Sequence, residues 1–157
     1  GNEEIRELIH IAHEEGMAVM VHANGADTVR AAVLAGADSI EHGNYIDTDV
    51  LDAMKAGKTV WVPTIVTTGN LFGCGRYPQE ELQKIFDRAS RNLQYAWENR
   101  ILMALGSDAG AYRVLHGQGI QDEYQIFCRI LGETVQLREH LAEGESIIRR
   151  KFQEGKR

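Results

Sequence analysis

Two histidines and one aspartate each follow a short apolar run, and these three side chains are candidates for metal-assisted chemistry. His22 ends "MAVMVH", His42 ends "DSIEH", and Asp108 follows "ILMALGS". Imidazole and carboxylate groups are typical ligands of hydrolytic zinc sites, because they bind the ion and leave a position open for water. The pattern predicts a metal site if the fold brings the three side chains together.

The apolar runs alternate with helical patterns along the whole chain. In "NEEIRELIHIAHEEG", Ile5, Leu8, Ile9 and Ala12 share one helical face before Gly16. Further helices are predicted at "ADTVRAAVLAG", "DTDVLDAMKAG", "PQEELQKIFDRASRNLQYAWENR", "DEYQIFCRIL" and "LREHLAEGESIIRRKFQEGKR", and four strands at "MAVMV", "DSI", "TVWVPTIV" and "ILMALGS". This alternation predicts an α/β fold with a parallel sheet and right-handed crossover connections.

Two architectures fit the alternation, an open doubly wound sheet or part of a (β/α)8 barrel. In both, chemistry takes place at the carboxyl ends of the strands. His22 and His42 are 20 residues apart, which is one short repeat, and Asp108 follows 66 residues later, after two longer repeats. The three side chains are therefore expected on one rim of the sheet. The alternative is that the histidines are ordinary rim residues and the aspartate caps a turn.

Composition narrows the class of protein. The 157 residues are 43% apolar and 25% charged, which suits one globular unit with a core. A formal net charge of −6 disfavours nucleic acid or an anionic membrane as partner. The longest apolar run is far shorter than the roughly 20 residues of a membrane-spanning helix, and no charged-then-apolar leader opens the sequence. We expect a cytoplasmic protein.

Three segments together resemble the metal-dependent amidohydrolase superfamily, in particular its imidazolonepropionase-related and Xaa-Pro dipeptidase-like branch. They are "VHANGADTVRAAVLAGADSIEHGN", "VWVPTIV" and "ALGSDAGAYRVLHGQG". The resemblance covers nearly the whole chain up to about Gly132. It implies a (β/α)8 barrel in which His22 and His42, after strands five and six, bind one ion of a two-metal centre. Asp108, after strand eight, would contact the other ion and act as the catalytic base. Zinc is the expected metal, and other divalent metals are possible.

The family pattern also requires residues that this sequence lacks. The family carries an HxH pair after strand one and a carboxylated lysine after strand four, whereas the sequence has no HxH. Four predicted strands stand where a barrel of about 250 residues has eight. Residues 1–157 are therefore predicted to be the C-terminal half of an amidohydrolase barrel, about four βα units with a C-terminal helix. We expect it to be inactive without the N-terminal half, and to self-associate through unpaired strand edges and an open apolar inner face.

The resemblance implies hydrolysis of an amide, a cyclic amide or a peptide-like bond in a small-molecule or dipeptide-like substrate. The purine deaminase branch carries a glutamate shortly after the first of these histidines, where this sequence has Asn24. Four residues on loops after the strands are candidates for substrate contact: Arg76, Tyr112, Arg113 and His116. Two alternatives remain open, a half-barrel module with a structural role and a non-catalytic α/β binding domain of another family.

Overall fold

Over residues 1–153, which are the residues that the computed structural model describes, helices and strands alternate from α1 to α4, and three further helices follow. The last four residues of the predicted terminal helix, and of the predicted 1–157 unit, lie outside the described residues. The elements are α1 (Asn2–Glu14), β1 (Met20–Ala23), α2 (Ala26–Leu34), β2 (Ser39–His42), α3 (Thr48–Gly57), β3 (Val60–Val62), α4 (Val66–Gly69), α5 (Gln79–Glu98), α6 (Gln118–Leu131) and α7 (Val135–Gln153).

The strands form a parallel sheet in the order β1-β2-β3. The register pairs His22 with Glu41, Ala23 with His42, and Glu41 with Val62, so the carboxyl ends of β1 and β2 lie side by side. Each strand neighbours the next one along the chain. This sequential order favours a barrel segment over a doubly wound sheet, in which the strand order reverses at a switch point.

The prediction of a fourth strand at "ILMALGS" is wrong in extent. Over the described residues this segment forms a single parallel bridge, between Trp61 and Met103. The Trp61 N–H donates to the Leu102 carbonyl at 2.9 Å, and the Ala104 N–H donates to the Trp61 carbonyl at 3.0 Å. The ladder stops there because β3 has only three residues before Pro63, which has no N–H to donate.

The predicted strand "TVWVPTIV" is also shorter than expected. The strand ends at Val62, and the last residue of the predicted segment, Val66, begins helix α4. Thr64 has a left-handed backbone conformation, with φ 50°, which ends the extended conformation directly after Pro63. The short β3 places a tight turn, and not a further stretch of strand, beside the ends of β1 and β2.

Two apolar clusters lie on opposite faces of the sheet. The larger cluster packs Ile40, Trp61 and Met103 against the helices and contains, among others, Val29, Val33, Val50, Leu51, Met54, Leu93, Phe127 and Leu137. The smaller cluster packs Val60, Val62 and Ala104 against Ile147 and Ile148 of α7. Helix α7 therefore contributes to both faces, with Leu137 on one and Ile147 and Ile148 on the other.

Helix α7 crosses the edge of the sheet beside Met103. A Cβ added to Gly144 would lie 2.0 Å from the Met103 carbonyl oxygen, so only glycine allows this approach. Because Leu102 and Ala104 bond to β3, the Met103 carbonyl points to the opposite edge, the one that α7 covers. The expectation of an open apolar inner face is therefore wrong for Val60, Val62 and Ala104, which are at most 4% exposed.

An ion-pair cluster ties the end of α7 to the opposite end of the sheet from the histidines. Lys151 Nζ lies 2.6 Å from Asp38 Oδ1, and Asp38 Oδ2 contacts His13 Nε2 at 2.9 Å and the Val19 N–H at 2.8 Å. Burial opposes ionisation of Asp38, but the hydrogen bonds from Lys151, Val19 and His13 outweigh it and lower the pKa of the carboxyl.

Among residues 1–153 no helix is long and apolar enough to cross a membrane.

Candidate active site

His22 and His42 meet at the carboxyl ends of β1 and β2. His42 Nε2 lies 2.8 Å from His22 Nδ1, and the two rings pack edge to face with centroids 4.3 Å apart. His42 is 8% exposed, whereas His22 is exposed to solvent. The structure thus brings together the two histidines that the sequence singled out, with one nitrogen of each ring facing the other.

The backbone at His42 directs its ring towards His22. Strand alternation would place His42 on the same face as Ile40, away from His22. The left-handed conformation of His42, φ 69°, breaks the alternation. Trp61 Nε1 donates to the His42 carbonyl at 2.9 Å and fixes this conformation. The next residue is Gly43, where a Cβ would lie 2.9 Å from Trp61 Nε1, so a larger residue would disturb the tryptophan.

Thr64, which sequence reasoning did not select, holds the other side of the His42 ring. Its Oγ1 lies 2.6 Å from His42 Nδ1 and donates to the Pro63 carbonyl at 2.8 Å. Thr64 comes two residues after β3, one position beyond the level of His42 in the neighbouring strand. A polar residue just past a buried strand was the available signal, but many such residues only begin a turn.

Left-handed backbone conformations occur after β2, after β3 and after the Met103 segment. His42, Thr64 and Asp108 have φ values of 69°, 50° and 52°. Each such conformation in a residue other than glycine costs on the order of 1–3 kcal/mol and persists only where the surrounding structure imposes it. Strain of this kind concentrates at functional sites, but it is not confined to this rim among residues 1–153: Lys58 and Arg100, which follow α3 and α5, also have positive φ values.

The surroundings of the histidines alter two ionisation equilibria. Burial lowers the pKa of His42, and the neighbouring His22 lowers it further, while Asp108 opposes both effects. Burial raises the pKa of Glu41, opposed by the hydrogen bond from the Ser39 hydroxyl and by the charge of His22. The neutral form of His42 is thereby favoured, and a neutral imidazole is the form that binds metal.

Asp108 lies near enough to His42 to affect its pKa, but Asp108 and the two histidines do not form a group of metal ligands in the described residues. Its side chain is exposed, and its charge acts on His42. Over residues 1–153 no group of three or more His, Cys, Asp or Glu side chains is arranged to hold a metal ion. The segment leading to Asp108 is bonded to β3 through the single bridge at Met103.

The histidine pair fits two positions of a divalent metal site. Zinc, with Zn–N distances of about 2.0–2.1 Å and tetrahedral geometry, separates two ligand nitrogens by about 3.3 Å. The observed 2.8 Å between His42 Nε2 and His22 Nδ1 needs only a small opening of the two rings. The donor set of the described residues therefore suits half of a four-coordinate site.

The candidate substrate residues lie on two loops that contact each other. The Arg76 guanidinium lies 4.8 Å from the centre of the Tyr112 ring, and Asn70 Nδ2 donates to the Arg113 carbonyl at 3.1 Å. The loop after α4 and the loop after the Met103 segment are thus joined. Arg113 and His116 are exposed on the second loop, and their contact with substrate stays a prediction.

Asn24 has a structural contact in place of the glutamate of the deaminase branch. Its Oδ1 accepts a hydrogen bond from the Asn44 N–H at 2.8 Å, and the Gly25 N–H donates to the Asn44 carbonyl at 2.7 Å. These bonds join the loops that follow β1 and β2. Asn24 therefore helps to hold the two histidine-bearing loops together.

Glu123 is a second residue that sequence reasoning missed. It is fully buried on α6, and its two oxygens accept hydrogen bonds from the Ile65 and Val66 N–H groups, at 3.0 and 2.6 Å. Burial raises the pKa of Glu123 to about 8, against the effect of the two N–H donors. The sequence signal for Glu123 was an acidic residue on the same buried side of α6 as Ile126 and Phe127.

The large concave surfaces lie away from the histidines. A groove of about 600 Å³ is lined by Leu105 and by residues of α6 and α7, including Tyr124, Arg138 and Leu141. The space behind His42, beside Trp61 and Asn92, measures only about 10 Å³. This space beside His42 is too small to hold a substrate.

The fold and the strand-end histidines agree with one class of enzyme. The solved structures to which this chain is similar are members of the amidohydrolase superfamily with a TIM-barrel-type fold, which confirms the resemblance predicted from the sequence. The chain covers only part of each of them.

Three relatives illustrate the match. A Xaa-Pro dipeptidase crystallised with methionine in its active site is 25% identical, with a TM-score of 0.69 over 92% of this chain and 39% of that chain. Ochratoxinase of Aspergillus niger is 29% identical over 111 residues, 68% of this chain and 23% of the ochratoxinase sequence. Its crystal structure, 24% identical, has a TM-score of 0.73. An uncharacterized protein of Mycobacterium tuberculosis is 30% identical over 132 residues, 80% of this chain and 35% of that protein. No family model matches the chain.

Proposed function

We propose that this chain is the C-terminal half of the catalytic barrel of a metal-dependent hydrolase that cleaves amide, cyclic amide or peptide-like C–N bonds. The observation that carries the proposal is the pair of ring nitrogens, 2.8 Å apart, at two adjacent parallel strand ends. The names of the relatives, a Xaa-Pro dipeptidase and ochratoxinase, support hydrolysis as the reaction class. A small dipeptide-like molecule is the proposed substrate.

His22 Nδ1 and His42 Nε2 would hold a zinc ion or another divalent metal. When bound, such an ion acts as a Lewis acid and lowers the pKa of a coordinated water towards about 7. Thr64 and Trp61 orient His42, through Nδ1 and the main-chain carbonyl, so that Nε2 stays directed at the shared position. The remaining ligands would come from an N-terminal half-barrel, and we propose that this half alone is inactive.

Asp108 would serve as the proton carrier of the reaction. Its carboxylate is exposed on the rim and lies close enough to His42 to affect that ring's pKa. It would accept a proton from the attacking water and then donate it to the leaving nitrogen, as a general base and then a general acid. The proposal that Asp108 also binds the second metal ion rests on the family resemblance alone.

The loop pair that carries Arg76 and Tyr112 would contact the substrate. Arg76 is exposed, and its guanidinium packs against the Tyr112 ring. An arginine side chain would suit the carboxylate of a dipeptide-like substrate. Arg113 and His116, on the same loop as Tyr112, are the other proposed contacts.

Mutations in a longer protein that contains this segment and the N-terminal half test the proposal. Asp108→Asn keeps the shape of the side chain but removes its basicity, so we expect full metal content with turnover of a Xaa-Pro dipeptide reduced about 100-fold or more. His22→Ala should lower metal content and turnover together. Metal analysis and initial rates on the same preparations separate the two roles. Near wild-type turnover in Asp108→Asn with full metal content would exclude Asp108 as the base.

A further inference from the structure

We propose that Glu123 is a positioning residue for His42, acting through the turn after β3. Its carboxyl group holds the main chain at Ile65 and Val66, and this fixes Thr64, whose hydroxyl sets the orientation and the tautomer of the His42 ring. The inference rests on the proposed function, because it concerns the same candidate metal ligand. It assigns a role at the site to a side chain on α6, 81 residues further along the chain.

The burial of Glu123 is costly and therefore calls for a compensating structural contact. Its side chain is 0% exposed, within a helix whose neighbouring buried positions are Ile126 and Phe127. A buried carboxyl group destabilises the folded state unless hydrogen bonds compensate for the lost solvation. The two carboxyl oxygens of Glu123 accept hydrogen bonds from consecutive main-chain N–H groups, those of Ile65 and Val66. The group therefore fixes a main-chain segment and does not pair with a cation there.

The segment that Glu123 holds is the turn that carries Thr64. Thr64 has φ 50°, a conformation that residues other than glycine adopt only where their surroundings impose it. The N–H of the next residue, Ile65, donates to the Glu123 carboxyl group. The Thr67 hydroxyl donates to the Thr64 carbonyl at 2.9 Å. The two bonds to Glu123 and this side-chain bond close the turn on the side away from His42.

The hydrogen bonds of Thr64 assign the tautomer of His42. A hydroxyl group carries one hydrogen, and the Pro63 carbonyl can only accept, so Thr64 donates to Pro63 at 2.8 Å. The contact of 2.6 Å between Thr64 Oγ1 and His42 Nδ1 is then a bond in which Nδ1–H donates. The lone pair of His42 is left on Nε2, the nitrogen that faces His22. A second partner that fixes the ring of a metal-binding histidine in this manner raises metal affinity.

The test reads the tautomer of His42 directly, by ¹⁵N NMR of the metal-free chain at about pH 7.5, where an imidazole of ordinary pKa is mostly neutral. In the wild type we expect hydrogen on Nδ1. Glu123→Gln keeps the size of the side chain but turns an amide donor towards one main-chain N–H, so one of the two bonds is lost. We expect a shift towards the Nε2–H tautomer in Glu123→Gln, and a larger shift in Thr64→Val, which removes the hydroxyl.

Control variants separate positioning from a loss of stability. Phe127→Leu, four residues along the same helix, should lower the stability of the core but leave the His42 tautomer unchanged. Thr64→Ser retains the hydroxyl and should restore the wild-type tautomer. If Glu123→Gln does not fold, Glu123→Asp, which shortens the side chain by one methylene, replaces it. The His42 tautomer population of Glu123→Asp should lie between those of the wild type and Thr64→Val.

An unchanged His42 tautomer in a folded Glu123 variant would overturn the proposal, as would an equal shift in Phe127→Leu. A wild-type tautomer in Thr64→Val would overturn its second step. The measurement uses no metal and no substrate. Its failure is therefore distinguishable from failure of the proposed hydrolase function, which activity and metal content test.

Discussion

Two imidazole nitrogens 2.8 Å apart are the smallest unit on which the proposed chemistry depends. Their positions at strand ends followed from the sequence, because a histidine that ends an apolar run lies on the rim of a parallel sheet. The residues that hold them did not follow. Thr64 and Glu123 act through the main chain of a turn, and the left-handed conformations of His42 and Thr64 carry no signal in residue type. Asp108 was selected from the sequence, but among residues 1–153 it does not join the two histidines in a group arranged to hold a metal ion.

At the same scale, Glu123 predicts how stability depends on pH. Its pKa rises from 4.5 to about 8 on folding, so its contribution to stability is complete below about 4.5 and is lost as pH rises towards 8. We expect the free energy of unfolding to fall by at most about 1.4 kcal/mol per pH unit over that range. Urea titrations at several pH values measure the slope, which should become smaller in Glu123→Gln; Glu41, whose pKa burial also raises, contributes to the slope that remains. In Glu143→Gln, which changes an exposed acid of α7, the wild-type slope should persist. An equal slope in Glu123→Gln would show that another group is responsible.

The elements that position the site were largely predictable, with one consistent error. Apolar periodicity and glycine stops located the long helices and the three strands, because these signals are local. The extent of strand pairing could not be predicted, because it depends on contacts between distant segments. Pro63 and the left-handed Thr64 end β3 early, so the Met103 segment forms a single bridge. The position of α7 across the sheet edge was not predictable either, since it depends on the contact between Gly144 and the Met103 carbonyl.

Gly144 provides the test of this arrangement of α7. A Cβ at Gly144 would lie 2.0 Å from the Met103 oxygen and 2.7 Å from its carbonyl carbon, so the helix or the edge must move. We expect Gly144→Ala to lower the free energy of unfolding by about 1–3 kcal/mol, as overpacking does, although alanine is the better helix former. Urea unfolding measures the change. The adjacent, exposed Glu143→Ala should be close to neutral, and a Gly144→Ala variant as stable as the wild type would contradict the close approach.

At the scale of the whole molecule, the chain forms a partial sheet with one covered edge and one edge without a strand neighbour. Helix α7 covers the edge at Met103, and β1 pairs on one side only among the described residues. Met20 in β1 is 50% exposed. Because the chain spans 35–39% of relatives such as the Mycobacterium protein and the dipeptidase, the β1 edge is where the rest of a barrel would continue.

The β1 edge predicts self-association of this chain in solution. Unpaired strand edges pair with other chains unless charged residues or proline protect them. We expect a dimer or larger oligomer at high micromolar concentration, measured by light scattering. Met20→Lys adds a charge to that edge and should shift the population towards the monomer. A monodisperse wild-type monomer at that concentration would contradict the prediction.

Zinc binding by the chain, measured by equilibrium dialysis, tests the central claim most directly. We predict weak binding of one ion, because the described residues supply two ligands. His22→Ala and His42→Ala should each weaken binding by at least the roughly 10-fold that loss of a supporting partner causes. His10→Ala removes an exposed histidine on α1, whose ring contacts Glu14, and should leave binding unchanged. Wild-type affinity in both His22→Ala and His42→Ala, or no binding by the wild type, would contradict the assignment of these histidines as metal ligands.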